Sequence, residues 1–195
     1  WWVTGMTDAT LLLGCDPGWR SVGYALLSHN DATGFTPVMI GVDDPSQSGS
    51  RYPSVLAAKL HGHVTPNSGS LAFATMERFV PYNNTFSTEA ENIVMMIGGL
   101  REALQPWAQE TRSTGRGQMV LVRAIDWKVT LVKILVKHLG FDNPSSSLDK
   151  RYSIAAATHI LNGKYEFKTD HEADAVCLAA FPQLLEKYPA PAKRR

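Results

Sequence analysis

Four residues of this chain have the side chains and positions expected of a divalent-cation site: Asp16, Glu77, His171 and Asp174. Asp16 and Glu77 each end an apolar run, and His171 and Asp174 are three residues apart, so they share one face of a helix. Carboxylates gathered together repel one another unless a cation neutralises them, and hard oxygen ligands suit Mg²⁺. Two such ions can activate water and stabilise the leaving oxygen in phosphodiester hydrolysis. We therefore expect these four residues to be metal ligands and catalytic residues, with Mg²⁺ as cofactor and Mn²⁺ as a substitute.

Each of these residues also has an ordinary structural explanation. Asp16 precedes Pro-Gly and is a common turn former, and Glu77 with Arg78 is compatible with a surface ion pair. The segment 170–172 can cap a helix and complement its dipole. Taken together, acidic residues at the ends of separate elements favour chemistry over these separate explanations.

The hydrophobic pattern predicts a mixed sheet flanked by helices in one α/β domain. We expect loops at 43–50 and 144–147, and a helix end at Pro182 because proline interrupts helical hydrogen bonding. Asp16 ends one predicted strand and Glu77 directly follows another, and ligands of open α/β sheets bind at the carboxyl ends of strands. The predicted strands are 11–16, 21–28, 36–42, 71–76 and 119–125, and the predicted helices are 52–64, 88–107, 127–139, 150–161 and 172–181.

We expect an N-terminal extension at 1–10, a single domain at 11–188 and a disordered basic tail at 189–195. The segment 12–15 superficially resembles a lipoprotein cleavage box, but it lacks the basic start and long apolar stretch of an export signal. No apolar run reaches the ~20 residues needed to cross a bilayer. We therefore expect a cytoplasmic protein without a membrane partner, in which Cys15 and Cys177 are reduced.

Charge is distributed unevenly along a chain whose net charge is +1. Residues 1–111 contain five Lys/Arg and ten Asp/Glu, whereas residues 112–168 contain ten Lys/Arg and four Asp/Glu. A basic segment in a nearly neutral protein is typical of a surface that follows a phosphate backbone, although a solvated face is an equally good explanation.

Three motifs resemble those of the RuvC-type Holliday junction resolvases. The segment 12–18, with Gly23 and Tyr24 after it, is similar to the first-strand motif of that family; 73–79 resembles its central strand, and 171–175 its carboxyl-terminal motif. The resemblance implies a ribonuclease-H-like fold in which Asp16, Glu77 and Asp174 bind metal. His171 stands where many members have Asp, although some have His. Phage and bacterial origins both stay open.

The same resemblance implies a homodimer that binds and cleaves branched DNA, above all the four-way junction. Its long dimer-forming helix would follow residues 83–89. Phe79 would match an aromatic residue that stacks near the junction centre, and Lys150 would also serve catalysis. The residues implied to contact DNA are Arg78, Phe79, Lys128, Lys150 and Arg151.

Alternatives stay open at this point. A nuclease of the same fold could act on flaps, forks or RNA, and an actin-like ATPase also opens with a strand, an Asp and a Gly-rich hairpin. The ATPase needs a second Gly-rich phosphate loop, which we do not find, and an inactive binding protein is less favoured because the acidic residues are present. Trp127 could stack on bases or belong to the core. The apolar stripe of the second predicted helix (Ile93, Met96, Ile97, Leu100) could form a dimer interface or the core.

Overall fold

The computed structural model of the chain describes residues 9–18, 20–67, 71–79, 87–109, 118–142 and 150–189. The predicted loop at 144–147, most of the predicted N-terminal extension and all but the first residue of the predicted basic tail lie outside these ranges.

Within the described ranges, five strands form one mixed sheet in the order β3-β2-β1-β4-β5. The first three form an antiparallel meander, whereas β4 lies parallel to β1, and β5 lies parallel to β4. This arrangement confirms the predicted mixed sheet and places the carboxyl ends of β1 and β4 side by side. The strands are β1 (Thr10–Pro17), β2 (Val22–Asn30), β3 (Gly34–Asp43), β4 (Phe73–Glu77) and β5 (Gln118–Val122).

Five α-helices flank this sheet in the part of the chain that the structure describes. The predicted loop at 43–50 contains two short 3-10 turns, Pro45–Gln47 and Gly49–Arg51. None of the described helices combines the length and apolar character that crossing a membrane would require. The helices are α1 (Tyr52–Asn67), α2 (Thr88–Gln109), α3 (Ala124–Leu139), α4 (Lys150–Ile160) and α5 (Asp170–Lys187).

The sheet separates two hydrophobic clusters because successive side chains of a strand point to opposite faces. On one face, Leu11 and Leu13 of β1 pack with α1 and α2. On the other face, Leu12 packs with α3, α4 and α5. Met96, Ile97 and Leu100 of α2 are buried, so most of the apolar stripe predicted on this helix belongs to the core and not to an exposed interface.

The predicted boundary between β5 and α3 was wrong. The strand predicted at 119–125 ends at Val122, and α3 begins at Ala124 after the N-cap Arg123. The side chain of Arg123 donates two hydrogen bonds to Asp126 (2.6 and 2.9 Å), and this pair stabilises the first turn where no Gly or Pro marks the change.

Pro182 does not end the last helix, which continues to Lys187. A proline inside a helix removes one backbone hydrogen bond. Here the residues on both sides of it, including Phe181 and Leu184, are buried against the rest of the protein. The packing of this helix therefore outweighs the lost hydrogen bond.

Candidate active site

Asp16 and Glu77 lie on the α5 side of the sheet, at the carboxyl ends of adjacent parallel strands. Leu12 and Asp16 have the same parity along β1, as Phe73 and Glu77 have along β4, and both Leu12 and Phe73 pack in the α5-side cluster. The two strands pair in parallel as far as Cys15 and Met76, so the two acidic residues follow directly at the same edge.

Two glycines allow the start of α5 to approach this edge. A Cβ on Gly14 would lie well inside contact distance of the carbonyl oxygen of Ala175, and a Cβ on Gly23 would overlap the carbonyl oxygen of His171. Gly23 pairs with Asp16 across β1 and β2, so the helix reaches the sheet directly beside the acidic residue. The backbone here has room only for glycine, and this close packing brings α5 to Asp16.

The first turn of α5 is fixed by a capping box. The Thr169 hydroxyl accepts a hydrogen bond from the Glu172 backbone N–H (3.2 Å), and the Glu172 carboxylate accepts from the N–H groups of Lys168 (2.7 Å) and Thr169 (3.3 Å). Glu172 therefore has the structural capping role that the sequence left open. His171 and Asp174 instead contact residues of the acidic edge.

His171 joins the acidic edge to the hairpin between β1 and β2. Its Nδ1 lies 2.6 Å from Oδ2 of Asp16, and its Nε2 lies 2.9 Å from Oγ of Ser21. The hydrogen bond with Asp16 is the largest cause that raises the pKa of His171 above its usual range. Both ring nitrogens therefore have partners on the same hairpin.

Glu77 is held by a tryptophan beneath it. The indole N–H of Trp127 donates to Oε2 of Glu77 at 3.0 Å, and Trp127 itself is completely buried. Trp127 is therefore a core residue that orients Glu77, and the base-stacking alternative is wrong because no face of the ring is accessible. Burial raises the pKa of Glu77 to about 7, and the negative charges of Asp16 and Asp174 add to this effect.

Asp174 is paired with a lysine inside the cluster. The Nζ of Lys128 donates to Oδ2 of Asp174 at 3.1 Å, and the two side chains are only 15% and 14% exposed. Burial is the largest cause that raises the pKa of Asp174. Its other oxygen, Oδ1, is also buried, and an interaction with the Ser153 hydroxyl of α4 lowers the pKa of Asp174.

The residues predicted to contact DNA occupy different positions. Arg78 is exposed and Phe79 is partly buried, and both follow Glu77 directly; the Arg78 N–H donates to the Val122 carbonyl at 2.6 Å. Arg151 is exposed in the first turn of α4. Lys150 begins α4, and its side chain lies outside what the structure describes. Lys128 is largely buried in its ion pair with Asp174, so it belongs to the acidic cluster and not to an exposed surface.

The donor chemistry of the cluster fits a hard divalent cation, although its ligands do not form a closed set. Charge interactions that raise the pKa of Glu77 link it to both Asp16 and Asp174, and the ammonium of Lys128 interacts with all three carboxylates. Across the described ranges, no three His, Cys, Asp or Glu side chains are arranged to hold a metal ion. The ammonium of Lys128 and the contact between Asp16 and His171 satisfy part of this cluster within the protein.

Comparisons with known proteins identify the architecture. No protein-family model matches the chain, and no curated protein sequence matches it. A Thermus thermophilus RuvC structure in complex with Holliday junction substrate superposes with a TM-score of 0.63 at 14% identity, covering 92% of this chain and 97% of RuvC. The chain has the fold of the RuvC Holliday junction resolvases. The predicted ribonuclease-H-like fold is thereby confirmed.

Two further structures agree with this result. Another Thermus thermophilus RuvC structure has a TM-score of 0.61 at 15% identity and covers 91% of this chain and 96% of its own. The yeast mitochondrial Holliday junction resolvase Ydc2 has a TM-score of 0.51 at 14% identity, with 95% and 86% covered. The fold is therefore shared along nearly the whole chain, and these neighbours give no support to a phage-type member.

Sequence reasoning missed two partners of the acidic residues. Ser21 contacts His171 from 150 positions away, and Trp127 contacts Glu77 from 50 positions away. No spacing rule connects residues so distant in the chain. The one available signal for Ser21 was its place as a polar residue three positions after the Asp-Pro-Gly turn.

Proposed function

We propose that this chain is a metal-dependent, structure-selective endonuclease that hydrolyses phosphodiester bonds in Holliday junctions or other branched DNA. The observation that supports this most strongly is the convergence of Asp16, Glu77 and the α5 residues His171 and Asp174 on one edge of a RuvC-like sheet. Thermus thermophilus RuvC, which has a similar fold, forms a complex with a Holliday junction substrate.

The acidic cluster would hold Mg²⁺, or Mn²⁺ in its place, through Asp16, Glu77, His171 and Asp174. Bound there, the cation would polarise the phosphodiester and lower the pKa of a bound water. The protein's own groups prepare the site: Trp127 fixes Oε2 of Glu77, and Lys128 neutralises part of the negative charge that would repel an incoming phosphate. We also propose that Lys150 assists catalysis from the start of α4.

DNA would contact the edge that surrounds this cluster. Arg78 and Phe79 directly follow Glu77 in the chain, and we propose that they contact a DNA strand bound in the site. Arg151 and Lys150 at the start of α4 add positive charge, and Lys128 would contact only a phosphate that reaches the cluster itself. Phosphate contacts of this kind make the affinity for DNA fall steeply as salt rises. Further exposed basic residues of the described chain are Lys133, Lys137, Lys164 and Lys168.

A homodimer would match the symmetry of the substrate. A four-way junction has two-fold symmetry, and two symmetric nicks require two active sites related by the same operation. Helix α2 presents Val94 and Met95 to solvent, 47% and 66% exposed, next to its buried stripe. Exposed apolar side chains on a long helix support α2 as the dimer surface.

The experiment that tests this function compares substrates under one condition. A labelled immobile four-way junction, a linear duplex, a flap and an RNA–DNA hybrid are incubated with the protein and Mg²⁺, and again with chelator. We expect paired symmetrical nicks in the junction that disappear with chelator. Cleavage of the flap or hybrid beside an intact junction would assign the site to another nuclease activity. Cleavage of no substrate by folded protein would contradict the proposal and direct attention to nucleotide binding.

A further inference from the structure

Hydrogen bonds link the side chains of Asp16, His171 and Ser21 in a row, with Ser21 at one end. It lies between β1 and β2, where its carbonyl accepts a hydrogen bond from the Gly18 N–H at 3.0 Å, so its backbone is fixed by the hairpin. Its Oγ is 2.9 Å from Nε2 of His171, and Nδ1 of the same ring is 2.6 Å from Oδ2 of Asp16. One hairpin therefore holds both nitrogens of an imidazole that belongs to α5.

Which atom donates in each of these two hydrogen bonds depends on the tautomer of His171. A serine hydroxyl can accept a hydrogen bond. In the His171 tautomer whose Nε2–H donates to Ser21, Nδ1 carries a lone pair that is directed at Asp16. Two lone-pair atoms 2.6 Å apart repel, so the short contact between Nδ1 and Oδ2 requires a proton between them. Metal binding replaces protons on its ligands, so a cation that binds here would release this proton.

We propose that Ser21 is a positioning residue of the cation site, whose hydroxyl holds Nε2–H of His171 and so directs Nδ1, together with Oδ2 of Asp16, at one divalent cation. This inference rests on the proposed metal-dependent function. Groups that orient a ligating histidine through its other nitrogen contribute strongly to metal affinity. Without the Ser21 hydroxyl, the ring can rotate or exchange its tautomer, and the directed pair of ligand atoms is lost.

The same three residues also have the order of a serine hydrolase triad, in which Ser21 would be a nucleophile. The two roles differ in what a hydroxyl-bearing substitute can do and in which property is lost. A positioning hydroxyl changes cation affinity and tolerates threonine. A nucleophile changes turnover and leaves cation affinity unaltered.

The test measures Mn²⁺ binding to the folded, full-length chain by titration calorimetry. We expect Ser21→Ala to weaken Mn²⁺ binding by about tenfold, and Ser21→Thr to restore it. His171→Ala should weaken binding at least as much, and the Ser21→Ala/His171→Ala double variant should bind no more weakly than His171→Ala alone. Ser54→Ala, on the exposed face of α1, is the matched control and should bind as the wild type does.

Unchanged Mn²⁺ affinity in Ser21→Ala, with affinity lost in His171→Ala, would overturn the positioning role. Loss of cleavage in Ser21→Ala at unchanged affinity, without recovery in Ser21→Thr, would overturn it in favour of a nucleophile.

A second measurement does not depend on metal. In ¹⁵N spectra of the cation-free protein, assigned with His171→Ala, we expect the Nε2 resonance of His171 to move in Ser21→Ala and to return in Ser21→Thr. A resonance that does not move would overturn the inference and leave the proposed function standing. If the resonance moves in Ser21→Ala but the wild-type protein binds no Mn²⁺, the proposed function is overturned, and the cation role of Ser21 with it.

Discussion

The two faces of strand β1 differ in what they do for the molecule. Towards α1 and α2, Leu11, Leu13 and Cys15 are buried in an apolar cluster. Towards α5, the same strand passes from Leu12 through Gly14 to Asp16, so the buried surface becomes smaller and then charged at the carboxyl end. One strand therefore supplies apolar burial on one face and chemistry on the other.

The α5 face carries unfavourable features that the α1–α2 face lacks. Among the described residues, the buried side-chain oxygens without a hydrogen-bond partner include those of Thr75 and Tyr152. They lie on β4 and on α4, and both elements pack with α5. Unpaired buried polar groups and neighbouring carboxylates reduce stability, so the apolar face must offset them. Local conflicts of this kind concentrate where a protein binds something.

The largest effect on stability is expected on the apolar face. Leu13→Ala removes a completely buried side chain and should lower the free energy of unfolding by about 3 kcal/mol, measured by urea denaturation. Cleavage per folded molecule should not change, because Leu13 points away from the site. Val136→Ala, at a residue 47% exposed, is the control and should change stability by less than about 0.5 kcal/mol. A change in the cleavage rate of folded Leu13→Ala would show that the two faces are coupled.

The next effect is a pH dependence on the α5 face. Burial raises the pKa of Glu77 from 4.5 to about 7, so between these values the folded state holds a proton that the unfolded state has released. This contribution is present below pH 4.5 and is lost as the pH rises to about 7. In chelator, Glu77→Gln should reduce the pH-dependent loss of stability by roughly 2 to 3 kcal/mol. Identical pH profiles for both proteins, measured by urea denaturation, would contradict the assigned burial.

A smaller effect is expected from the lysine that pairs with Asp174. Lys128→Met removes the charged donor and should lower the free energy of unfolding of the metal-free protein by about 1.5 kcal/mol. Added Mn²⁺ should then raise the melting temperature more in this variant than in the wild type, because the cation supplies the missing positive charge. Lys133→Met, exposed on the same helix, is the control. Equal Mn²⁺-dependent shifts in the melting temperatures of the wild type, Lys128→Met and Lys133→Met would show that Lys128 does not neutralise the carboxylates of a cation site.

Local signals in the sequence were enough to predict the sheet and the positions of the four site residues. Asp16 precedes a Pro-Gly turn and Glu77 ends an apolar run, so both could be placed at strand ends. His171 and Asp174 shared a helix face through their spacing alone. These short-range patterns were sufficient to predict the mixed sheet and to place four residues on two strand ends and one helix.

The rest depends on contacts between distant segments. The burial of Trp127 beneath Glu77 and the ion pair of Lys128 follow from how α3 packs on α5, which periodicity cannot specify. The start of α3 was missed because strand β5 runs into it without Gly or Pro. Pro182 was assigned to a helix end because local propensity carries no information on the packing that keeps α5 continuous.

Asp16→Asn keeps the size of the side chain and removes its charge, so it tests whether the acidic edge carries out cleavage. Binding to a labelled four-way junction and cleavage of the same junction in Mg²⁺ are measured on one preparation, beside the wild type. The account predicts that the variant binds the junction with unchanged affinity and produces no nicks. Cleavage by folded Asp16→Asn at the rate of the wild type would contradict the account, because the acidic edge would then have no part in the chemistry.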